Sequence, residues 1–168
     1  MRGIFIDQGN DKPSWWFIVD RTLGKLAKWL RILGYDTIYW RSDDLEGLLR
    51  RAKEEGRTLI TKDGTVYRRR GAIEALLIRE DNPFRQVQLV VRHLQLSIQE
   101  EKLFSRCLAC NAVLEDVDPQ EVRGEVPDYI FHTHQEFSRC PSCRKVYWAG
   151  THYERMTKVV EKLQEGRP

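Results

Sequence analysis

Two kinds of chemistry-bearing side chain recur at regular places in this 168-residue sequence. Four cysteines form two pairs of one spacing, Cys107-Leu108-Ala109-Cys110 and Cys140-Pro141-Ser142-Cys143. Each pair can present two thiolates from one tight turn, and two such turns face to face make the tetrahedral four-sulfur site of structural zinc. A redox CxxC stands singly, so the doubled pair points to metal. Four thiolates leave no open position for substrate, so the expected role is structural. The second set is acidic: Asp20, Asp43 or Asp44, Asp63, and Glu80 or Asp81 each follow a short apolar run of strand type. One such acid is an ordinary helix cap or turn residue. Several at one edge of a parallel sheet would repel one another unless a cation intervened, and Mg²⁺ or Mn²⁺ suits such oxygen ligands.

The elements that must position these acids alternate. Phe17-Ile18-Val19 reads as a strand that stops at Asp20, and Leu23, Leu26, Ala27, Leu30 and Leu33 then follow at helical spacing up to Gly34. Residues 36–40 form a second strand, and Ser42 is expected to cap a helix carrying Leu45, Leu48, Leu49 and Ala52. Thr58-Leu59-Ile60-Thr61 is the third strand, closed by Lys62-Asp63-Gly64. A short helix, a fourth strand at Ala75 to Ile78, and a helix opened by Pro83 complete the series. Alternation of this kind predicts an α/β fold with a mostly parallel sheet, and ligands bind beyond the carboxyl ends of such strands. From Leu103 the pattern changes to a ribbon, with residues 111–139 read as strands and loop. Thr151-His152-Tyr153-Glu154 is expected to be a capping box opening a last helix. Residues 1–16 are treated as an extension with a short strand at Ile4 to Ile6, residues 17–102 as the acidic α/β domain, and 103–168 as the ribbon and final helix.

Basic residues flank the proposed edge. Lys25, Lys28 and Arg31 are expected on the side of their helix away from the leucines, and Arg68-Arg69-Arg70 follows Asp63. With 28 basic and 25 acidic residues the net charge is only +3, so distribution rather than sum argues for phosphate contact. Tyr147, Trp148 and Tyr153 are candidates for base stacking but suit ribbon packing better. His132 and His134 are expected to be surface residues. No nucleophile elbow, P-loop or dinucleotide fingerprint occurs. No apolar run reaches the roughly 18 residues of a membrane helix, and the apolar stretch at the N-terminus is too short for a signal peptide. A cytoplasmic protein is expected.

Residues 20–36, then Leu59-Ile60-Thr61-Lys62-Asp63, the two CxxC pairs, and Tyr147-Trp148-Ala149-Gly150-Thr151-His152 together resemble the Mut-seven C-terminal ribonuclease family. The likeness spans roughly residues 17–158. Thr22 stands where that family commonly has methionine, and Lys28 and Lys62 where it has arginine. The resemblance implies a PIN-like nuclease domain with a C-terminal zinc ribbon, in which Asp20, Asp43 or Asp44, and Asp63 hold the divalent cation.

The expected function is therefore a ribonuclease dependent on Mg²⁺ or Mn²⁺. Asp20, Asp44 and Asp63 would be the ligands, with Asp43 and Asp81 as alternatives and Thr61 orienting Asp63 or a water. Lys25, Lys28, Arg31, Lys62, Arg68, Arg69, Arg70 and His152 would contact RNA. Cys107, Cys110, Cys140 and Cys143 would hold Zn²⁺. RNA is the expected partner, a protein inhibitor a second class of partner. The competing readings are an RNA-binding adaptor with a vestigial acidic edge, and a small phosphatase or nucleotide hydrolase.

Overall fold

A computed structural model of the chain describes residues 15–165; the strand expected at Ile4 to Ile6 lies outside them. Four short strands, β1 (Trp16–Val19), β2 (Asp36–Tyr39), β3 (Thr58–Thr61) and β4 (Ala75–Leu77), form one parallel sheet in the order β2-β1-β3-β4. Between them run α1 (Gly24–Ile32), α2 (Leu45–Glu54) and α3 (Gly64–Arg69), and α4 (Pro83–His93) follows β4. The chain leaves β1 for β2 on one side and returns to β3 on the other. The strand order thus reverses between β1 and β3, the place where ligands bind in open α/β sheets.

Alternation along the strands sends side chains to two cores. Phe17, Val19 and Ile60 pack with Leu26 and Leu30 of α1 and Val87 and Val90 of α4, while Ile18 and Leu59 pack with Leu48, Ala52 and Val66 of α2 and α3. Both faces are therefore covered, as parallel strands require.

The ribbon is a second, antiparallel sheet of β5 (Glu115–Val117), β6 (Phe137–Arg139) and β7 (Val146–Trp148). Its long connection contains more than loop. A turn of 3-10 helix at Pro119–Val122 and a short helix, α5 (Asp128–Thr133), close a third small core of Val122, Val126, Ile130 and Phe137. Val122, Val126 and Ile130 stand four apart, a helical spacing, but Gly124 and Pro127 between them divide it into a 3-10 turn and one short helix. The last helix, α6 (Thr151–Glu165), begins at Thr151 itself, and the Glu154 N–H bonds the Gly150 carbonyl at 3.1 Å. Thr151 is thus the first helical residue and not a cap. Val160 and Leu163 of α6 return to the core beneath α1 and α4.

A seam of polar contacts joins ribbon and sheet. Gly34 (φ 87°) lets the chain turn where a Cβ would strike the Lys102 carbonyl, and the Phe104 N–H reaches the Ile32 carbonyl at 2.8 Å. Asn111 accepts from the Thr37 N–H and donates to Asp36, both at 2.9 Å. Asp36 also meets Arg57 at 2.6 Å and Arg106 at 3.4 Å. The open edge of β2 is thereby occupied by side chains, which removes an unpaired strand edge. Among the described residues no helix is long and apolar enough to cross a membrane.

Candidate functional site

At the carboxyl end of β1, Asp20 is nearly buried, at 6 % exposure. One carboxylate oxygen accepts from the Thr22 N–H at 2.8 Å and the Thr22 hydroxyl at 2.5 Å. The other accepts from the Thr61 hydroxyl and from the Lys62 N–H at 3.1 Å. Thr61, fully buried at the end of β3, also accepts from the Asp63 N–H at 2.9 Å. One hydroxyl therefore ties the acid after β1 to the backbone of the acid after β3, across the switch point of the sheet. Asp63 caps α3, its Oδ1 accepting from the N–H groups of Thr65 at 2.6 Å and Val66 at 3.3 Å.

Beyond β2 the cap is Asp44, not Ser42: Asp44 Oδ1 accepts from the Gly47 N–H at 2.9 Å, and the Ser42 hydroxyl accepts from the Asp44 N–H. Aspartate wins because its carboxylate also answers the positive end of the helix. A Cβ at Gly47 would push the Asp44 carboxylate out of its present position. Asp43 points away and pairs with Arg21 in solvent. Asp81, beyond β4, is exposed and pairs with Lys62, whose ammonium holds the Asp81 carboxyl below its ordinary range.

All oxygen donors, on one edge, suit a hard cation such as Mg²⁺ or Mn²⁺. Asp44 and Asp63 each cap with Oδ1 and leave Oδ2 available. Asp20 has its four acceptor positions filled, so it joins a cation only if the Thr22 or Thr61 hydroxyl rotates away.

Of the basic residues, Lys25 and Lys28 are exposed on α1. Arg31 is not part of their stripe. It is buried at 4 %, with Nε on the Thr37 carbonyl at 2.9 Å and Nη1 on the Leu108 carbonyl at 2.8 Å. Position 31 follows Leu30 and precedes Ile32 and so turns toward the ribbon, a neighbour that helical spacing alone does not reveal. Burial pushes its guanidinium down from its usual value; Arg41 adds to the shift, while Cys107, Cys110 and Asp36 oppose it. Lys62 is bound to Asp81, and Arg69 to Glu46. Arg68 donates to Thr65 at 3.1 Å, and Arg70 lies 3.9 Å above the Tyr67 ring. His152 is exposed on α6.

The cysteines converge. All four sulfurs lie within 4.8 Å of one another, with 3.4 Å between Cys107 and Cys143 and 3.3 Å between Cys110 and Cys140. Tetrahedral zinc with bonds of about 2.3 Å would set sulfurs about 3.8 Å apart, so the cluster is compatible with structural Zn²⁺. The two turns are near copies. Asn111 and Arg144 each return an N–H to the first cysteine's carbonyl (2.9 and 3.0 Å), and Cys107 and Cys140 donate to the carbonyls of Ala112 and Lys145. Asn111 and Arg144 both take left-handed backbone, φ 76° and 65°. Burial disfavours the Cys107 thiolate, yet the Tyr147 hydroxyl, 3.1 Å from its sulfur, and the N–H groups of Cys110 and Ala109 outweigh burial and bring the thiol to about 6. Tyr147 also accepts from the Leu108 N–H at 3.2 Å. Tyr147 therefore orients Cys107 within the cluster. Trp148 packs on the third core, and Tyr153 lies tilted against Phe104, ring centroids 4.1 Å apart. His132 is exposed, and His134 bonds the Thr133 hydroxyl.

Sequence reasoning missed Thr22 as a partner of Asp20, Tyr147 as a partner of Cys107, and Asn111 as the link between knuckle and sheet. The residue after each CxxC was the available signal, since such turns need left-handed backbone there. No curated protein and no solved structure matches the chain. A family model, described as the Mut7-C RNAse domain, matches residues 16–160, from the start of β1 into α6 and through both cysteine turns. With most of its length covered, and with a four-cysteine cluster beside a parallel α/β sheet, the chain belongs to the Mut7-C RNAse domain family.

Proposed function

We propose that the protein is a metal-dependent ribonuclease that hydrolyses RNA phosphodiester bonds at the Asp20, Asp44 and Asp63 edge. One observation carries this reading: the Thr61 hydroxyl joins Asp20 to the backbone of Asp63 at the point where the strand order reverses. Asp44 and Asp63 would hold Mg²⁺ or Mn²⁺ through the oxygens their caps leave available, and Asp20 would join on release of a hydroxyl. The ion, when bound, supplies a Lewis acid that activates water and offsets charge building on the phosphoryl oxygens. Thr61 and the Lys62 N–H hold the Asp20 carboxylate in orientation. Lys25, Lys28 and Arg68 neutralise neighbouring phosphates, while Lys62 is available only when its pair with Asp81 opens. The four free cysteines suit a reducing compartment, and we place the protein in the cytoplasm.

The test compares wild type with Asp63→Asn at equal zinc content, using end-labelled single-stranded RNA and Mn²⁺. Asparagine keeps the Oδ1 acceptor that caps α3, so folding is preserved while the ligand charge is lost. Cleavage should fall at least as far as the roughly 10–100-fold that losing a metal ligand's hydrogen-bond partner costs, with RNA affinity retained. Equal cleavage by both proteins would sink the assignment. Binding without cleavage by either would favour an RNA-binding adaptor, a reading that the filled acceptor positions of Asp20 support.

A further inference from the structure

Along the outer edge of β2, toward its carboxyl end, the first cysteine turn and α2 enclose a recess of about 230 Å³. Arg31, Tyr39, Arg41, Arg51, Cys110 and Asn111 line it. Three guanidinium groups on so small a space repel one another unless an anion lies between them. Their partners do not remove the charge. Arg31 is engaged by two carbonyls, which are neutral, and its Nη2 makes no hydrogen bond among the described residues. Arg51 shares Glu55, at 2.8 Å, with Arg57. Arg41 has no carboxylate partner among the described residues and lies 5.2 Å from the centre of the Tyr39 ring. A zinc-loaded cluster of four thiolates would carry two negative charges behind this wall. Arg31 is the guanidinium that reaches back to that turn, through the Leu108 carbonyl, whereas Arg41 and Arg51 are exposed.

Size and chemistry narrow the ligand. The recess is smaller than the roughly 300–1,000 Å³ of a site that encloses a small organic molecule. A phosphate group fits it, and the arginine lining favours a charged group over an uncharged base. Guanidinium forks match phosphate oxygens in pairs. The recess is also tied to the acidic edge, because its wall residue Tyr39 donates from its hydroxyl to the Arg21 carbonyl at 2.8 Å, in the turn just after Asp20. It lies outside the strand next to β1, about 10 Å from the Asp20 strand at ordinary strand spacing. An RNA strand crossing the edge can therefore reach it within a few nucleotides.

We propose that this recess is a phosphate subsite for the RNA strand, with Arg41 as its principal contact, Arg51 as its second, and the zinc knuckle as its far wall. The proposal rests on the ribonuclease reading and extends it by giving the ribbon a place in substrate binding. Arg41 is a binding residue and takes no part in bond cleavage.

The experiment measures single-stranded RNA binding in Asp63→Asn protein, so that substrate stays intact, alone and with Arg41→Ala or Arg41→Lys added. All three proteins are matched for zinc content and melting temperature. Arg41→Ala should weaken binding about 5–10-fold and lower the slope of log affinity against log salt by about one phosphate contact. Arg41→Lys should keep that slope while losing part of the affinity. A set of RNAs, each carrying one uncharged methylphosphonate, should include one position whose neutralisation weakens the Asp63→Asn protein but not the protein that also carries Arg41→Ala. Equal affinity and slope with and without Arg41 would overturn the subsite and leave the ribonuclease reading standing. Absence of RNA binding before Arg41 is changed would overturn both. Additive losses at every methylphosphonate position would show that Arg41 acts by general charge, and would also overturn the subsite.

Discussion

The four cysteine sulfurs lie within 4.8 Å of one another, whereas Asp20, Asp44 and Asp63 share an edge of the sheet while each is engaged by backbone N–H groups of nearby turns. The contrast follows from charge. Each cysteine turn is closed by its own backbone hydrogen bonds, and donors such as the Tyr147 hydroxyl offset the charge gathered on the sulfurs. Carboxylates repel one another, and each of these is held by the N–H groups of its own turn, a cap worth about 1 kcal/mol. The cysteine cluster is thus assembled by local backbone geometry, and the proposed acid ligands are held at fixed points along the sheet edge.

The comparison is broken most directly at the cysteines. Cys140→Ser should reduce zinc from one ion per chain to a weakly held fraction and destabilise the ribbon by several kcal/mol, since structural zinc contributes on the order of 10 kcal/mol in small domains. Metal analysis and denaturant unfolding read this. Because α6 and the seam tie the ribbon to the sheet, the nuclease core should also lose stability, seen as faster amide exchange in β2 than in β3. Full zinc retention, or exchange confined to the ribbon, would show the two regions to be independent.

Thr61→Val sharpens the other side. It removes the hydroxyl that donates to Asp20 and accepts from the Asp63 N–H, at nearly constant volume. Cleavage should fall about 10–100-fold, as when the partner of a metal ligand is lost. RNA affinity should stay within twofold, and Thr61→Ser should restore most of the rate. A positioning role also predicts that higher Mn²⁺ rescues Thr61→Val in part, because the ion can then gather the acids that the hydroxyl no longer holds. A fall in rate that neither serine nor Mn²⁺ relieves would assign Thr61 to packing alone.

How far these regions could be read from sequence differs for the same reason. The strand and helix series was legible because Phe17, Val19, Leu26 and Leu30 repeat at periods set by the backbone itself, and the CxxC pairs because their spacing is the turn. Asp20, Asp44 and Asp63 could be placed at one edge, yet their present hydrogen-bond partners could not, since Thr22 and Gly47 carry no period. The seam was invisible. Arg31 shares a helical spacing with Lys25 and Lys28, and only the approach of Leu108 from 77 residues away turns it into a buried strut. Long-range polar contacts of this kind leave no pattern in a single chain.

Asp36, where the two regions meet, gives the smallest effect. Burial opposes its charge, but hydrogen bonds from Arg57 and Asn111 and the charges of Arg57 and Arg106 outweigh burial and hold the carboxyl below the ordinary 3.8. A depressed carboxylate stabilises the folded state fully above its unfolded value and loses that contribution as pH falls through the folded one. Wild type should therefore exceed Asp36→Asn in stability by a constant margin from pH 7 down to about 5, and the margin should close below about pH 4. Denaturant unfolding of both proteins in excess zinc reads the difference, and zinc loss at low pH, being common to both, cancels. A margin independent of pH would mean that Asp36 acts as a neutral hydrogen-bond acceptor. Were cleavage in Asp36→Asn also to fall at pH 7, with zinc intact, the seam would be transmitting the ribbon's state to the acidic edge through β2.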